Sequence, residues 1–259
     1  MLQLLGLLRL GWYNLKHMKQ LKTKSMKRKQ SLVQISKTLG LLVLTALLLV
    51  ACKKDKDGGT TPSAKVNLMI SSPGATELSL FLNGTKSTTS ALNYNSVVKN
   101  LSVTPGTVEF SFKKKDVTEV LDKISANVKS SGTYTLIFAD KSPKTAVILV
   151  EDDLTSPTAE KAKIRFANLS PDAPALDLYV VGKTDAVVTN KTFKQVSAFV
   201  NIDPGALGFE IKENGKTEVL ATLTKFTIEK GKIYTIWARG LKDPAAADAV
   251  KLGIEAMTN

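Results

Sequence analysis

Two segments 98 residues apart repeat one another, and this duplication constrains the fold more than any other feature of the chain. The stretch Ala64 to Pro73 (AKVNLMISSP) aligns with Ala162 to Pro171 (AKIRFANLSP). Leu78, Leu80, Leu82 and Gly84 then match Leu176, Leu178, Val180 and Gly182, and Pro105-Gly106 matches Pro204-Gly205. Thr118-Glu119-Val120-Leu121 matches Thr217-Glu218-Val219-Leu220, and Gly132-Thr133-Tyr134-Thr135 matches Gly231-Lys232-Ile233-Tyr234-Thr235 with one inserted residue. Two copies of one domain are therefore expected, over 64–153 and 162–259, with Thr155, Ser156 and Pro157 as linker.

Inside each copy the apolar residues alternate with polar ones. Leu176, Leu178 and Val180 are interleaved with Asp177 and Tyr179, and Leu207, Phe209 and Ile211 with Gly208 and Glu210. Period two is the pattern of a strand with one buried face. Asn83-Gly84, Asn214-Gly215 and the two Pro-Gly pairs supply the turns between strands. The stretch Asp116 to Ser125 is read as strand because its twin, Glu218 to Lys225, is Thr-rich. Short strands every 8 to 12 residues or so predict an all-β chain, with two tandem immunoglobulin-like β-sandwich domains after a signal peptide.

The amino-terminal third obeys different rules. Leu39 to Ala51 is an apolar run preceded by Lys27, Arg28, Lys29 and Lys37. A membrane-spanning helix needs about 20 apolar residues, so this shorter run reads as a signal peptide. Leu49-Val50-Ala51-Cys52 matches the bacterial lipobox, in which the Cys52 thiol takes the lipid and cleavage follows Ala51. Residues 1–51 are thus expected to be removed. Their unusual length suggests a true start at Met26, the competing reading being a membrane-surface helix over Leu2 to Trp12. Residues 52–63 hold no apolar side chain after Cys52 and read as a flexible tether, about 20 Å long on average and about 35 Å when taut.

This partition also disposes of the charge. The net +13 suggests nucleic acid, but nine of the 36 basic residues, and none of the 23 acidic ones, precede Cys52. From Cys52 onward the balance is 27 basic to 23 acidic, or +4, too little for a phosphate-backbone partner. The only histidine, His17, lies in the leader, and Cys52 is the only cysteine. A Ser-His-Asp triad, a thiol nucleophile, a zinc cluster and an internal disulfide all lack their residues. No metal, cofactor or catalytic group is expected.

The run Asn168 to Tyr179 (NLSPDAPALDLY), with Pro204-Gly205 and Gly231-Lys232-Ile233-Tyr234-Thr235, resembles the bacterial family known as domain of unknown function 4397. The resemblance covers about 162–257. The first copy departs from it, with Gly74, Thr76 and Ser79 where Asp172, Pro174 and Asp177 stand. It implies an exported β-domain, often lipid-anchored, and no established activity. The Lys and Asp cluster after Cys52 is similar to export signals of surface lipoproteins of the Bacteroidetes group, which implies an outer-membrane location and exposure at the surface.

Candidate sites follow from particular side chains. Ser170-Pro171-Asp172-Ala173-Pro174 reads first as a rigid turn whose carboxylate accepts backbone N–H groups. The functional alternative joins Asp172 and Asp177 with Asp203 in a calcium site, or pairs two of them for glycoside chemistry. Tyr179 and Trp237 are sugar-stacking candidates, although Trp237 is expected mainly in a sandwich core. Tyr134 and Tyr234 read as corner tyrosines whose hydroxyls bond backbone. Glu151, Asp152 and Asp153 read as solvated linker. The expected function is a non-enzymatic surface module, held at the membrane by lipid and binding a glycan or envelope protein. The alternative is a structural spacer or subunit of an outer-membrane complex.

Overall fold

The computed structural model describes residues 62–245 and 250–259. Cys52, the lipobox residues Leu49, Val50 and Ala51, Met26 and the tether as far as residue 61 lie outside the described residues. Within these there is no helix, so none is long and apolar enough to cross a membrane.

The first repeat holds β1 (Ala64–Ile70), β2 (Leu78–Leu82), β3 (Thr85–Lys86), β4 (Val97–Val103), β5 (Gly106–Lys114), β6 (Asp122–Val128), β7 (Thr133–Ala139) and β8 (Ala146–Glu151). The second holds β9 (Ala162–Asn168), β10 (Leu176–Val180), β11 (Ala186–Lys191), β12 (Val200–Ile202), β13 (Gly205–Glu213), β14 (Val219–Ile228), β15 (Ile233–Arg239) and β16 (Gly253–Thr258). Strand order is the same in both. The first repeat forms sheets β4-β1-β7-β8 and β3-β2-β5-β6, and the second forms β12-β9-β15-β16 and β11-β10-β13-β14. All neighbours are antiparallel except β1 with β7 and β9 with β15, which run parallel. Each repeat is a β-sandwich of immunoglobulin-like build, as the alternation predicts.

Turn chemistry explains the connections. Asn83 (φ 48°) and Gly84 (φ 80°) both take the left-handed region and close the β2–β3 hairpin, as a two-residue type I′ turn demands. Tyr134 and Tyr234 accept the N–H of Lys129 (2.9 Å) and Glu229 (2.8 Å) on their hydroxyls, five residues back, as corner tyrosines do. A side chain at Gly132 would stand 2.7 Å from the Tyr134 ring, which explains a glycine there without a special φ. The one strand misread is Asp116 to Ser125. Asp116 (φ 58°) turns the chain after β5, and strand begins only at Asp122.

Alternate residues build two sandwich cores. Val66, Leu68 and Ile70 pack with Leu80, Phe110, Phe112, Leu136 and Phe138 in the first. Ile164, Phe166, Leu178, Phe209, Ile211 and Ile236 do so in the second. Each such side chain contributes about 1.5–3 kcal/mol of transfer free energy.

The central strands break the one-sided pattern. In β1, β7, β9 and β15 nearly every residue is buried, including those that alternate away from their own core. Met69, Ile137 and Ala139 of the first repeat pack there against Ala167, Leu169, Trp237 and Met257 of the second. The inner sheets therefore lie back to back, in a stack of four layers. Trp237 was expected in a sandwich core and instead sits between the sandwiches. Its neighbour Ile236 takes the core side of β15, so strand alternation sends the indole to the other face.

Contacts along this layer give the relative direction of the repeats. The Lys194 ammonium meets the Asp140 carboxylate (3.1 Å) and Asn95 meets Glu255 (3.4 Å) where β1 and β9 end. Lys99 beside Thr258 of β16, and Asp152 just after β8 against Arg165 of β9, show that β4 faces β16 and that β8 faces the β12 side. Equal direction with reversed strand order is a pseudo-two-fold axis parallel to the strands. Pro62 and Ser63, read as tether, are docked at the starting end of β1. The Pro62 carbonyl accepts from Ser131 N (3.3 Å) and Ser130 Oγ (3.1 Å), and Ser102 Oγ lies 2.8 Å from Ser63 Oγ.

Candidate functional site at the seam between the sandwiches

Near the axis a polar network interrupts the apolar layer. Arg165 and Asp152 form an ion pair at 2.8 Å, with side chains 2% and 0% exposed. The guanidinium also donates to Thr135 Oγ1 (2.7 Å) and Thr235 Oγ1 (2.9 Å), and Thr135 Oγ1 donates to the other Asp152 oxygen (2.8 Å). Thr235 Oγ1 donates to Asn259 Oδ1 (2.7 Å), and the Arg165 guanidinium lies 4.6 Å from the Phe199 ring centroid. Burial pulls the Arg165 pKa down, while the adjacent Asp152 carboxylate opposes the shift. The five polar side chains satisfy one another around the buried pair, so the charge pair tolerates burial.

The acidic trio is thus not a solvated linker throughout. Asp152 is buried in the seam, Glu151 forms an exposed pair with Lys129 (2.7 Å), and Asp153 accepts the N–H of Thr155 (3.0 Å). The one signal in the sequence was the repeat itself. Arg165 stands where Asn67 does, and Asp152 where Asn259 does, so both charges appear at positions that are neutral in the other copy.

The other predicted carboxylates are engaged separately. Asp172 is exposed and accepts the backbone N–H groups of Lys242 (2.8 Å) and Asp243 (3.0 Å), so the rigid-turn reading of Ser170 to Pro174 describes it, and it also latches the loop that follows β15. Partial burial pushes its carboxyl up, but the backbone donors of Asp243 and Lys242 outweigh this and hold it below the usual range. Asp177 is buried and accepts from Asn190 N (2.6 Å) and Asn214 Nδ2 (3.0 Å). Asp203 pairs with Lys161 (2.6 Å). The three carboxylates share no contact, and among the described residues no group of three or more His, Cys, Asp or Glu side chains could hold a metal ion. Tyr179 is half-buried with the Lys212 ammonium 4.4 Å from its ring centroid, and Lys212 in turn pairs with Glu210 (2.8 Å). That cation covers one face of the ring.

A stability prediction follows from the latch. A depressed carboxyl stabilises the fold above its ordinary pKa, and the contribution is lost as pH falls through the lower folded value. Asp172→Asn is expected to lower the urea midpoint at pH 7, with the gap to wild type closing as pH drops below about 4. An equal gap at pH 7 and pH 2.5 in paired urea titrations would contradict the assignment.

At the opposite edge of the layer from Phe199, a groove of about 420 Å³ opens between the edge strands β4 and β16. Trp237, Met257 and Phe226 line its apolar part, and Asn95, Lys99 and Glu255 its rim. Lys99 Nζ donates to the Thr258 carbonyl (2.8 Å), and Glu255 is paired with Arg239 (2.9 Å). Arg239 also reaches the Tyr94 hydroxyl (3.4 Å), whose pKa burial raises against the opposing pull of that guanidinium.

Comparison with known proteins finds one family model that matches part of the chain. Residues 64–179 match the family described as Domain of unknown function (DUF4397). The match spans all of the first repeat, β9 and β10 up to Tyr179, and so includes the run Asn168 to Tyr179, whereas the resemblance read from the sequence was placed over about 162–257. No curated protein matches the chain. Among solved structures, the CBMbc module (family CBM26) of Eubacterium rectale Amy13K, in complex with maltoheptaose, is 9% identical. That likeness covers 76% of this chain and 96% of the module, with a TM-score of 0.24. A structure of alpha-glucan recognition by family 41 carbohydrate-binding modules from streptococcal virulence factors is 10% identical, covering 74% and 96%, again with a TM-score of 0.24. At such scores neither bears on what this chain binds.

Proposed function

We propose that this chain, a carrier of the DUF4397 domain over residues 64–179, is a lipid-anchored module of the outer membrane that binds a glycan or envelope protein without catalysis. One observation carries the reading. The chain enters the fold at Pro62, at one end of the strands, and the loops 71–77, 115–121, 140–145, 169–175 and 214–218 of both repeats gather at the other. A lipid on Cys52 would hold the first end near the bilayer and turn the second outward. Past Cys52 the chain has neither histidine nor a second cysteine, which supports recognition over nucleophilic or metal chemistry.

The spacer alternative gains nothing from this geometry. Side-by-side sandwiches widen the displayed surface, while the reach stays that of one strand, about 23 Å for seven residues. End-to-end packing would suit a spacer better.

Cells expressing the wild type or Cys52→Ser are labelled with radioactive fatty acid and then treated with protease. The reading expects label and surface cleavage in the wild type, and neither in the variant. An unlabelled wild-type product removes the anchor, and a labelled product protected in intact cells moves the module to the periplasmic face. In-cell cross-linking of the wild type then identifies what the outward loops touch.

A further inference from the structure

Among the described strands, β8 leaves an edge that nothing in the fold blunts. It ends the sheet β4-β1-β7-β8 and pairs only with β7, in unbroken register from Ala139 with Ala146 to Tyr134 with Glu151. Asp152 N donates to the Thr133 carbonyl (2.8 Å), so the alternate residues Val150, Ile148 and Ala146 turn their backbone groups toward β7. Val147, Leu149 and Glu151 therefore point theirs outward, where no group among the described residues bonds them. The strand reads AVILVE, without the lysine, proline or bulge that ordinarily guards an edge.

The twin edge shows what is missing. β16 is the counterpart of β8, and Lys99 caps it at the Thr258 carbonyl (2.8 Å). Thr258 lies opposite Tyr234 as Glu151 lies opposite Tyr134, and the pairing of β4 and of its twin segment puts Ala198 where Lys99 stands. An alanine cannot reach across the layer, so the Glu151 carbonyl stays uncapped. The other edges are guarded. β4 carries a bulge and Lys99, β6 carries Lys123, β12 and β3 run for only 3 and 2 residues, and register shifts break β11 and β14.

We infer that β8 is an interface with a second copy of this chain, the two β8 strands pairing antiparallel about a two-fold axis at Leu149. In that register Leu149 faces its symmetry mate and Val147 faces Glu151 of the other copy, and each such pair exchanges both N–H to carbonyl bonds. Two features select a copy as the occupant. The first is the charge at the strand's ends. Lys144 precedes β8 and Asp153 follows it, both exposed and neither in an ion pair, while Glu151 is already answered by Lys129. Thr145 comes opposite Asp153 of the other copy, which brings the Lys144 ammonium within reach of that carboxylate, and symmetry repeats the contact. Leu154, 36% exposed, comes opposite the Lys144 stem. A parallel pairing would set like charge against like. The second feature is closure. The two-fold pairing consumes both open edges, and the joined sheet ends on each side at β4, where the bulge and Lys99 stop its growth. The two Pro62 ends of the pair point opposite ways, so on the anchored reading above it suits copies on facing surfaces better than neighbours on one.

Sedimentation of the purified full chain across the micromolar range should show a monomer to dimer equilibrium. Lys144→Glu should weaken the dimer about tenfold, and so should Asp153→Lys, at exposed positions where folding is not at stake. An equal mixture of the two variants should regain the wild-type affinity, because each reversed charge then meets its opposite on the other chain. In hydrogen exchange, the amides of Val147, Leu149 and Glu151 should be fast in the monomer and slow in the dimer. A dimer that leaves these amides fast, or that ignores both charge variants, would overturn the inference. A monomer at every concentration would also overturn it and leave the edge to a strand of some other protein, which the cross-linking above would reveal. None of these outcomes bears on the fatty-acid labelling of Cys52, so the anchored reading stands or falls separately.

Discussion

Asp152→Ala is expected to cost about 3–5 kcal/mol of stability, because it strands a guanidinium in a dry layer. The partners of Arg165 would be reduced to two threonine hydroxyls and the Phe199 ring, which share its hydrogen bonds without balancing its charge. The decisive comparison is the double variant Asp152→Ala with Arg165→Met. Removing the second charge replaces an unpaired cation with an apolar side chain of similar reach, so the double variant should recover most of the loss. Urea midpoints at constant slope measure both. If the single and double variants were equally unstable, the penalty would come from lost packing and the ion pair would have no special standing. The pair also joins the repeats, since Asp152 follows β8 and Arg165 lies in β9. The single variant should therefore loosen the first sandwich from the second before either core melts.

Trp237→Ala should cost about 3–5 kcal/mol, the range for deleting a large buried side chain without relaxation. The indole is the largest member of the shared cluster and touches both repeats, so its loss removes apolar surface from the interface and leaves both sandwich cores untouched. Thermal unfolding, expected as a single transition in the wild type, should then separate into two, one for each sandwich. A loss under about 1 kcal/mol with one transition retained would mean that the inner sheets close over the gap, and that the layer is held by Met69, Ile137 and Met257 instead. Trp237→Phe, by filling most of the same volume, should keep the single transition.

Much of the fold was legible because it depends on short-range rules. Period-two alternation marks β10 and β13 whatever surrounds them, Asn83-Gly84 closes its hairpin through local backbone preference, and the tyrosine corners act over five residues. Asp116 was misread because one left-handed residue after β5 cannot be told from strand by composition. Asp172 was legible as a turn carboxylate. That its partners lie 70 and 71 residues away, in Lys242 and Asp243, was not.

By itself the amino-acid order determined that the described chain is two copies of one all-β sandwich, since duplication and alternation are properties of a one-dimensional string. Only the tertiary structure decided that the copies pack back to back about a pseudo-two-fold axis. That packing turned Trp237 away from the core, buried Asp152 with Arg165, and left one seam open. The reason is physical. A strand's pattern tells which residues avoid water on its own sheet, but whether the opposite face meets solvent or a second sheet depends on contacts between residues far apart in sequence, and Arg165 or Trp237 suits either surrounding until a partner covers it.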